Sequence, residues 1–254
     1  MTGCGFARLL SEQPRSPLCG CRFYERKVAI MMDQFNVKPL GKREQFTFKC
    51  TRCGDCCRGI KESVMLESMD AYRLARLLRQ TDPSIQMMDD MLLKYATPVP
   101  LTDNGFPIYV LKTLGEDDTC IFLKENRCAV YHARPRTCRL YPISVNPDEK
   151  GTGFEYLLCR EKPHHFIGGT VRTKDWLRDN FKREDQEFVT AEYEAITKIG
   201  PLMNRISEHQ QPQAIVALLF ARYYDFDLDA PFMPQYRRNQ ERLIEKLRHL
   251  AAAK

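Results

Sequence analysis

Nowhere does this chain hold an apolar run approaching the ~20 residues that a bilayer-spanning helix needs. The longest, AIVALLFA from Ala214, is under half of that. The opening MTGCGFARLLSEQPRSP lacks the apolar segment of ~7–15 residues at the heart of a secretory signal. No membrane partner is therefore expected. Internal repeats and low-complexity tracts are missing as well. So are the patterns G-x-x-x-x-G-K-[ST], G-x-S-x-G and H-E-x-x-H, which sets aside a phosphate-cradling loop, a serine-hydrolase elbow and a helical zinc-protease site. Alternating Asp225, Asp227 and Asp229 resemble the start of a calcium loop. The sixth and twelfth positions of that loop call for Gly and Glu and hold Ala230 and Tyr236, so the acidic run reads as a solvated connection. A net charge of +6 and a pI near 8.7 are only mildly basic. The RPR segment also lacks the interleaved aromatics of a stacking platform, so nucleic acid is not an expected partner.

Cysteine, in contrast, is plentiful: eleven in 254 residues, an odd number. Small secreted proteins use even sets of cysteines as disulfide frameworks. In a chain of this length with no signal segment, a reducing cytoplasm is the expected location, and clustered thiols there point to metal or redox chemistry. Four of the eleven fall in CTRCGDCC, residues 50–57.

The chain divides into three stretches. Residues 1–44 read as a flexible N-terminal extension carrying Cys4, Cys19 and Cys21, with Met31 or Met32 as an alternative start. Residues 45–165 hold the other eight cysteines and mix short strands with helices. A helix is expected within 63–80, capped by Ser68, and a second over 81–96 with Asp82 as cap and Pro83 in the first turn. The methionines of the second, Met88 and Met91, read as core filling. TCIFLKENRCAVYH (119–132) reads as a hairpin presenting Cys120 and Cys128 from facing strands. ARPRTCRLYPI (133–143) reads as irregular, and FEYLLC (154–159) as a strand. Residues 166–254 are helical from Thr173 onward and carry no thiol; helices are expected to begin at Pro201 and Pro212. The fold class is thus α+β, a small cysteine-rich mixed α/β domain around a metal centre followed by a helical C-terminal region.

The spacing C-x2-C lets two thiolates converge on one ion through a tight turn, here helped by Gly54. Zinc takes four such ligands, and an iron–sulfur cluster often takes three from a C-x2-C-x2-C run and one from afar. Cys50, Cys53 and Cys56 supply that run. Cys57 is surplus to it and is expected to face a second site or another edge. With Cys120, Cys128, Cys138 and Cys159 the set numbers eight, enough for two four-ligand sites or for one cluster with further thiols. His132, His164 and His165 are candidate substitute ligands, although each also fits an ordinary hydrogen-bonded histidine. Arg134 and Arg136 flank Pro135 just before Cys138. They either balance thiolate charge or form a bidentate fork for an anionic ligand. A protein or a small anionic substrate is the partner they would serve.

CTRCGDCC followed by CIFL, CAVYHARPRTCRLYP and a later lone cysteine resembles the CxxCxxCC cysteine-cluster family of YkgJ-like zinc- or iron-chelating proteins. The likeness covers about residues 45–160, and eight thiols in register make it specific. It implies metal chelation, of zinc or an iron–sulfur cluster, through Cys50, Cys53, Cys56, Cys57, Cys120, Cys128, Cys138 and Cys159. A partial likeness to flagellin lysine N-methylases implies an alternative, a cluster-dependent modifying enzyme using S-adenosylmethionine. GTGFEY (151–156) is the one glycine pair suggestive of a nucleotide turn, and a lone G-x-G is a weak signal.

If the extension is dispensable, a chain beginning at Met32 keeps the metal stoichiometry of the full protein by elemental analysis. Loss of metal on truncation would make Cys4, Cys19 or Cys21 part of the site.

Overall fold

The structure, a computed structural model, describes residues 36–100 and 106–252. The expectations for Cys4, Cys19, Cys21 and a start at Met31 or Met32 lie outside the described residues.

The fold is α+β, and every strand pairing within it is antiparallel. Strand β1 (Val37–Pro39) is followed by β2 (Gln45–Thr47) and a 3-10 turn at Asp55–Cys57. Next come β3 (Met65–Leu66), helix α1 (Ser68–Arg79) and helix α2 (Met88–Tyr95). Strands β4 (Ala96–Pro100) and β5 (Pro107–Leu111) then join β3 in a sheet of order β3-β5-β4. Four short strands follow, β6 (Thr113–Leu114), β7 (Thr119–Cys120), β8 (Leu123–Lys124) and β9 (Arg127–Cys128). Helix α3 (Arg136–Leu140) leads to β10 (Ile143–Pro147) and β11 (Phe154–Cys159), which with β1 form the sheet β1-β11-β10. Strand β12 (Thr170–Arg172) pairs with β2, Thr170 opposite Thr47. Helices α4 (Thr173–Asn180), α5 (Arg183–Met203), α6 (Gln211–Leu219) and α7 (Phe232–Ala252) complete the chain.

Several boundaries differ from the sequence expectations, each for a local reason. Glu67, not Ser68, caps α1, and its backbone N–H donates to Asp70 Oδ2 at 3.4 Å. Helix α2 begins at Met88 because Asp82 closes a separate turn, accepting from the Ser84 N–H and hydroxyl, while Asp90 takes the N–H groups of Gln86 and Met87. The hairpin is shorter than 119–132. Leu123 faces Cys128 across a turn at Glu125 and Asn126, both with positive φ, as a tight two-residue turn demands. Cys120 belongs to a neighbouring ribbon and pairs with Thr113. The segment expected to be irregular contains α3, which Pro135 precedes and Pro142 follows. Proline fixes φ near the helical value and costs no hydrogen bond at a helix start. Pro201 lies in the last turn of α5, where few helical bonds remain to be lost. Pro212 does open α6.

The larger apolar core contains Leu66, Tyr72, Ile85, Met88, Met91 and Leu140 together with Phe188, Tyr223, Phe232 and Tyr236 from the C-terminal helices. A smaller one joins α5, α6 and α7 through Ile199, Leu218, Leu243, Leu247 and Leu250. The Met88 and Met91 side chains are fully buried, as core filling requires.

Helix α3 is pinned between these layers by ion pairs. Arg136 forms a two-pronged bond to Glu67 (2.7 and 2.6 Å), donates to the Val145 carbonyl at 2.8 Å, and gives its backbone N–H to Asp70. Arg139 donates to Asp185 at 2.7 Å and to the Asn180 carbonyl at 3.0 Å. Arg73 of α1 shares the same buried Asp185. Desolvation, with Glu67 alongside, pushes the Asp70 carboxyl up to about 7, against the pull of Arg136. Removing one partner of a buried pair strands the other charge, at a cost of roughly 3 kcal/mol or more. Arg136→Ala should therefore destabilise the metal-free protein by about that amount in urea unfolding. Arg134→Ala, at a half-buried site where the guanidinium rests on the Tyr131 ring, should cost less, about 1 kcal/mol. Equal losses would mean that α3 is not held by the Glu67 pair.

Candidate metal centre

The turn that carries the first thiols is shaped by two left-handed residues. Arg52 has φ 55° and Gly54 φ 77°, one on each side of Cys53. Gly54 is favoured there because its φ of 77° is one that L side chains rarely adopt, and a Cβ would also press on the Arg58 guanidinium and on Leu123. The two reversals send Cys53 to one side of the loop. The 3-10 turn at 55–57 then carries Cys56 and Cys57 together to the other, with their sulfurs 3.9 Å apart and not bonded. Adjacent residues diverge most in extended backbone. In this tight helical turn they converge, so Cys53 rather than Cys57 is the residue that leaves the group.

Cys50, Cys56, Cys57, Cys120, Cys128 and Cys138 line one cavity of about 430 Å³. Its walls between the thiols are apolar, with Ile60, Val64, Leu111, Phe122, Leu123 and Val130. Arg52, Arg58, Arg134 and Lys162 also line it. The elements meet there for simple reasons. The tight β8–β9 turn presents Cys128 beside Leu123. The Gly59 N–H bonded to the Asp117 carbonyl at 2.9 Å ties the knuckle to the loop before Cys120. The ion pairs on α3 place Cys138.

The electrostatics follow from that crowding. Hydrogen bonding from Cys57 lowers the Cys56 thiol to about 7, helped by Arg134 and opposed by burial. The same contact with Cys56, then burial and the charges of Cys138 and Cys120, drives the Cys57 thiol far up. Burial raises Cys120, Cys128 and Cys138. Arg134 opposes the rise at Cys128.

Two of the eight cysteines lie elsewhere. Cys159 is buried at the end of β11, opposite Val37. Cys53 faces His165, with Sγ 3.2 Å from Nε2. Among the described residues, Cys53, His164 and His165 form a group whose ligand atoms all lie within 4.8 Å of one another. His132 lines the thiol cavity. The two arginines flanking Pro135 part ways. The Arg134 guanidinium stands 3.8 Å over the Tyr131 ring at the cavity, with Arg52 near the same ring. The Arg136 guanidinium is spent on Glu67 and Val145, and it does not line the cavity. The Gly151–Gly153 pair closes the β10–β11 hairpin on itself, with Asp148 accepting the Thr152 N–H at 2.9 Å. The α3 partners, half-buried Glu67 and buried Asp70 and Asp185, were not singled out from sequence. Acidic residues in α1 and α5 carry no local mark of a pairing across so many residues.

Residues 49–173 match the family model CxxCxxCC, described as "Putative zinc- or iron-chelating domain". No curated protein and no solved structure matches the chain. None of its described helices is long and apolar enough to cross a membrane.

The thiolate, not the thiol, is alkylated. In metal-free protein Cys56 should react first with iodoacetamide, its rate rising with pH through a midpoint near the value of about 7. Cys56→Ser should remove the fast phase. A fast phase that survives in that variant would place the reactive thiol elsewhere.

Proposed function

Because residues 49–173 form a CxxCxxCC domain, we propose that the protein chelates metal in the six-thiol cavity, through Cys50, Cys56, Cys57, Cys120, Cys128 and Cys138, as a polynuclear zinc or iron–sulfur centre. The observation that carries this is the convergence of six thiols on a single cavity of about 430 Å³. Thiolates are soft donors that select zinc and iron–sulfur clusters over magnesium or calcium. One tetrahedral ion takes four. Six donors around so wide a space suit two ions sharing thiolates, or a cluster, better than a single zinc.

The apolar walls shield Cys120 and partly shield Cys57, Cys128 and Cys138. Cys50 and Cys56 are open to solvent, and the ring of cations offsets the surplus negative charge of six thiolates. Without metal, Cys57, Cys120, Cys128 and Cys138 are pushed toward keeping their protons, so loading releases protons to solvent. The anion-binding role expected of the arginine pair falls, in this proposal, to Arg134 alone, because Arg136 is occupied. Arg134 both balances charge and offers donors at the cavity to an anionic ligand.

Anaerobic purification followed by elemental analysis and an absorption spectrum tests the proposal. The expected result is more than one zinc or iron per chain, with most of it lost in Cys120→Ser/Cys138→Ser. A metal content that Cys120→Ser/Cys138→Ser leaves unchanged overturns it. Arg134→Lys keeps the charge and should keep the metal content. Loss of metal would make Arg134 a structural support.

A further inference from the structure

We infer that Cys53, His164 and His165 form a second metal site, for one divalent ion of zinc type, separate from the six-thiol cavity and independent of whether that cavity is filled. None of these three residues lines the cavity. They come from two segments joined by backbone pairing. Lys49 N–H bonds to the His165 carbonyl at 3.2 Å and Phe48 N–H to the Gly169 carbonyl at 3.3 Å. This pairing holds the 3-10 turn at Pro163–His165 against the loop that carries Cys53.

His165 is only 4% exposed, and its ring lies edge-on to Phe48 and Tyr141. The Tyr141 hydroxyl is 2.8 Å from Nδ1. A partner on one imidazole nitrogen sets the ring's orientation and commits the other nitrogen as ligand, the arrangement found behind most metal-bound histidines. Here the committed nitrogen is Nε2, and it faces the Cys53 sulfur at 3.2 Å. A tetrahedral ion with bonds of ~2.3 Å to sulfur and ~2.0 Å to nitrogen holds those atoms about 3.6 Å apart, so the pair need open by only a few tenths of an ångström. His164 brings a second imidazole, its ring centre 4.2 Å from that of His165. Asp55 Oδ2 lies 3.3 Å from His164 Nε2 and supplies a carboxylate beside the group, with Lys162 3.6 Å from the same oxygen. One thiolate and two imidazoles suit zinc, with a fourth position left to Asp55 or solvent. The ion replaces the Cys53 proton, which leaves to solvent.

The test uses the full chain loaded with zinc, then with cobalt(II) as a spectroscopic stand-in. His164 has a side chain that is 52% exposed, so His164→Ala disturbs no core. Zinc content is measured for the parent, His164→Ala, Cys53→Ser and the cavity variant Cys56→Ser/Cys138→Ser, each checked for folding by circular dichroism. His164→Ala and Cys53→Ser should each lose one equivalent of zinc and keep the rest. The cavity variant should keep that one equivalent, and its cobalt form should show tetrahedral bands with charge transfer from one sulfur. If His164→Ala binds as much zinc as the parent, or the folded cavity variant binds none, the second site does not exist. If the parent binds a single ion that His164→Ala abolishes and the cavity variant retains, this site stands and the cavity proposal fails.

Discussion

Two buried carboxylates, Asp70 and Asp185, hold the rest of the site in place. A charge taken out of water is tolerated only when it is paired and hydrogen-bonded. Asp70 accepts the backbone N–H groups of Arg136 and Glu67 while burial pushes its carboxyl up to about 7, and Asp185 is paired with the guanidinium groups of Arg139 and Arg73. The two arginines bracket Cys138 on a helix of five residues that is far too short to be stable alone. Trp176 adds a bond from its indole N–H to the Leu140 carbonyl at the helix end. The position of one wall of the thiol cavity is therefore set by acidic residues on other helices.

One of those acids lies outside the matched domain. The family match ends at residue 173, and Asp185 is in α5. The C-terminal helices also place Phe188, Tyr223 and Tyr236 in the same core as Leu140 and Cys120. Tyr223 reaches further, donating from its hydroxyl to the Leu66 carbonyl at 2.8 Å, next to the Glu67 that binds Arg136. The helical region thus acts as scaffold to the cysteine segment.

Within that scaffold the backbone sorts the thiols. Left-handed turns at Arg52 and Gly54 split C-x2-C-x2-C-C into a group of Cys50, Cys56 and Cys57 on the cavity side and Cys53 on the histidine side. Burial and crowding then raise the cost of deprotonating Cys57, Cys120, Cys128 and Cys138, a cost that a bound soft cation offsets. The same loop serves two faces because consecutive residues in it follow different backbone geometries.

Local chemistry was enough to make several features legible in the chain itself. The thiol set, the hairpin turn at Glu125–Asn126, the buried stripe of α2 and the helices after Thr173 all follow from residue type and short-range spacing. The same holds for the α+β class, since strand-like and helix-like periods occupy different stretches. Which thiols converge is a different matter, as it depends on the sign of φ at Arg52 and Gly54 and on pairings between residues more than a hundred positions apart. Arg134 and Arg136 look equivalent beside Pro135, yet one faces the cavity and the other is bound to Glu67. His164 and His165 gain their place only because β2 pairs with β12. Sequence determined which donors are present; the tertiary structure decided which of them share a site, because coordination depends on distances in space that no spacing along the chain encodes.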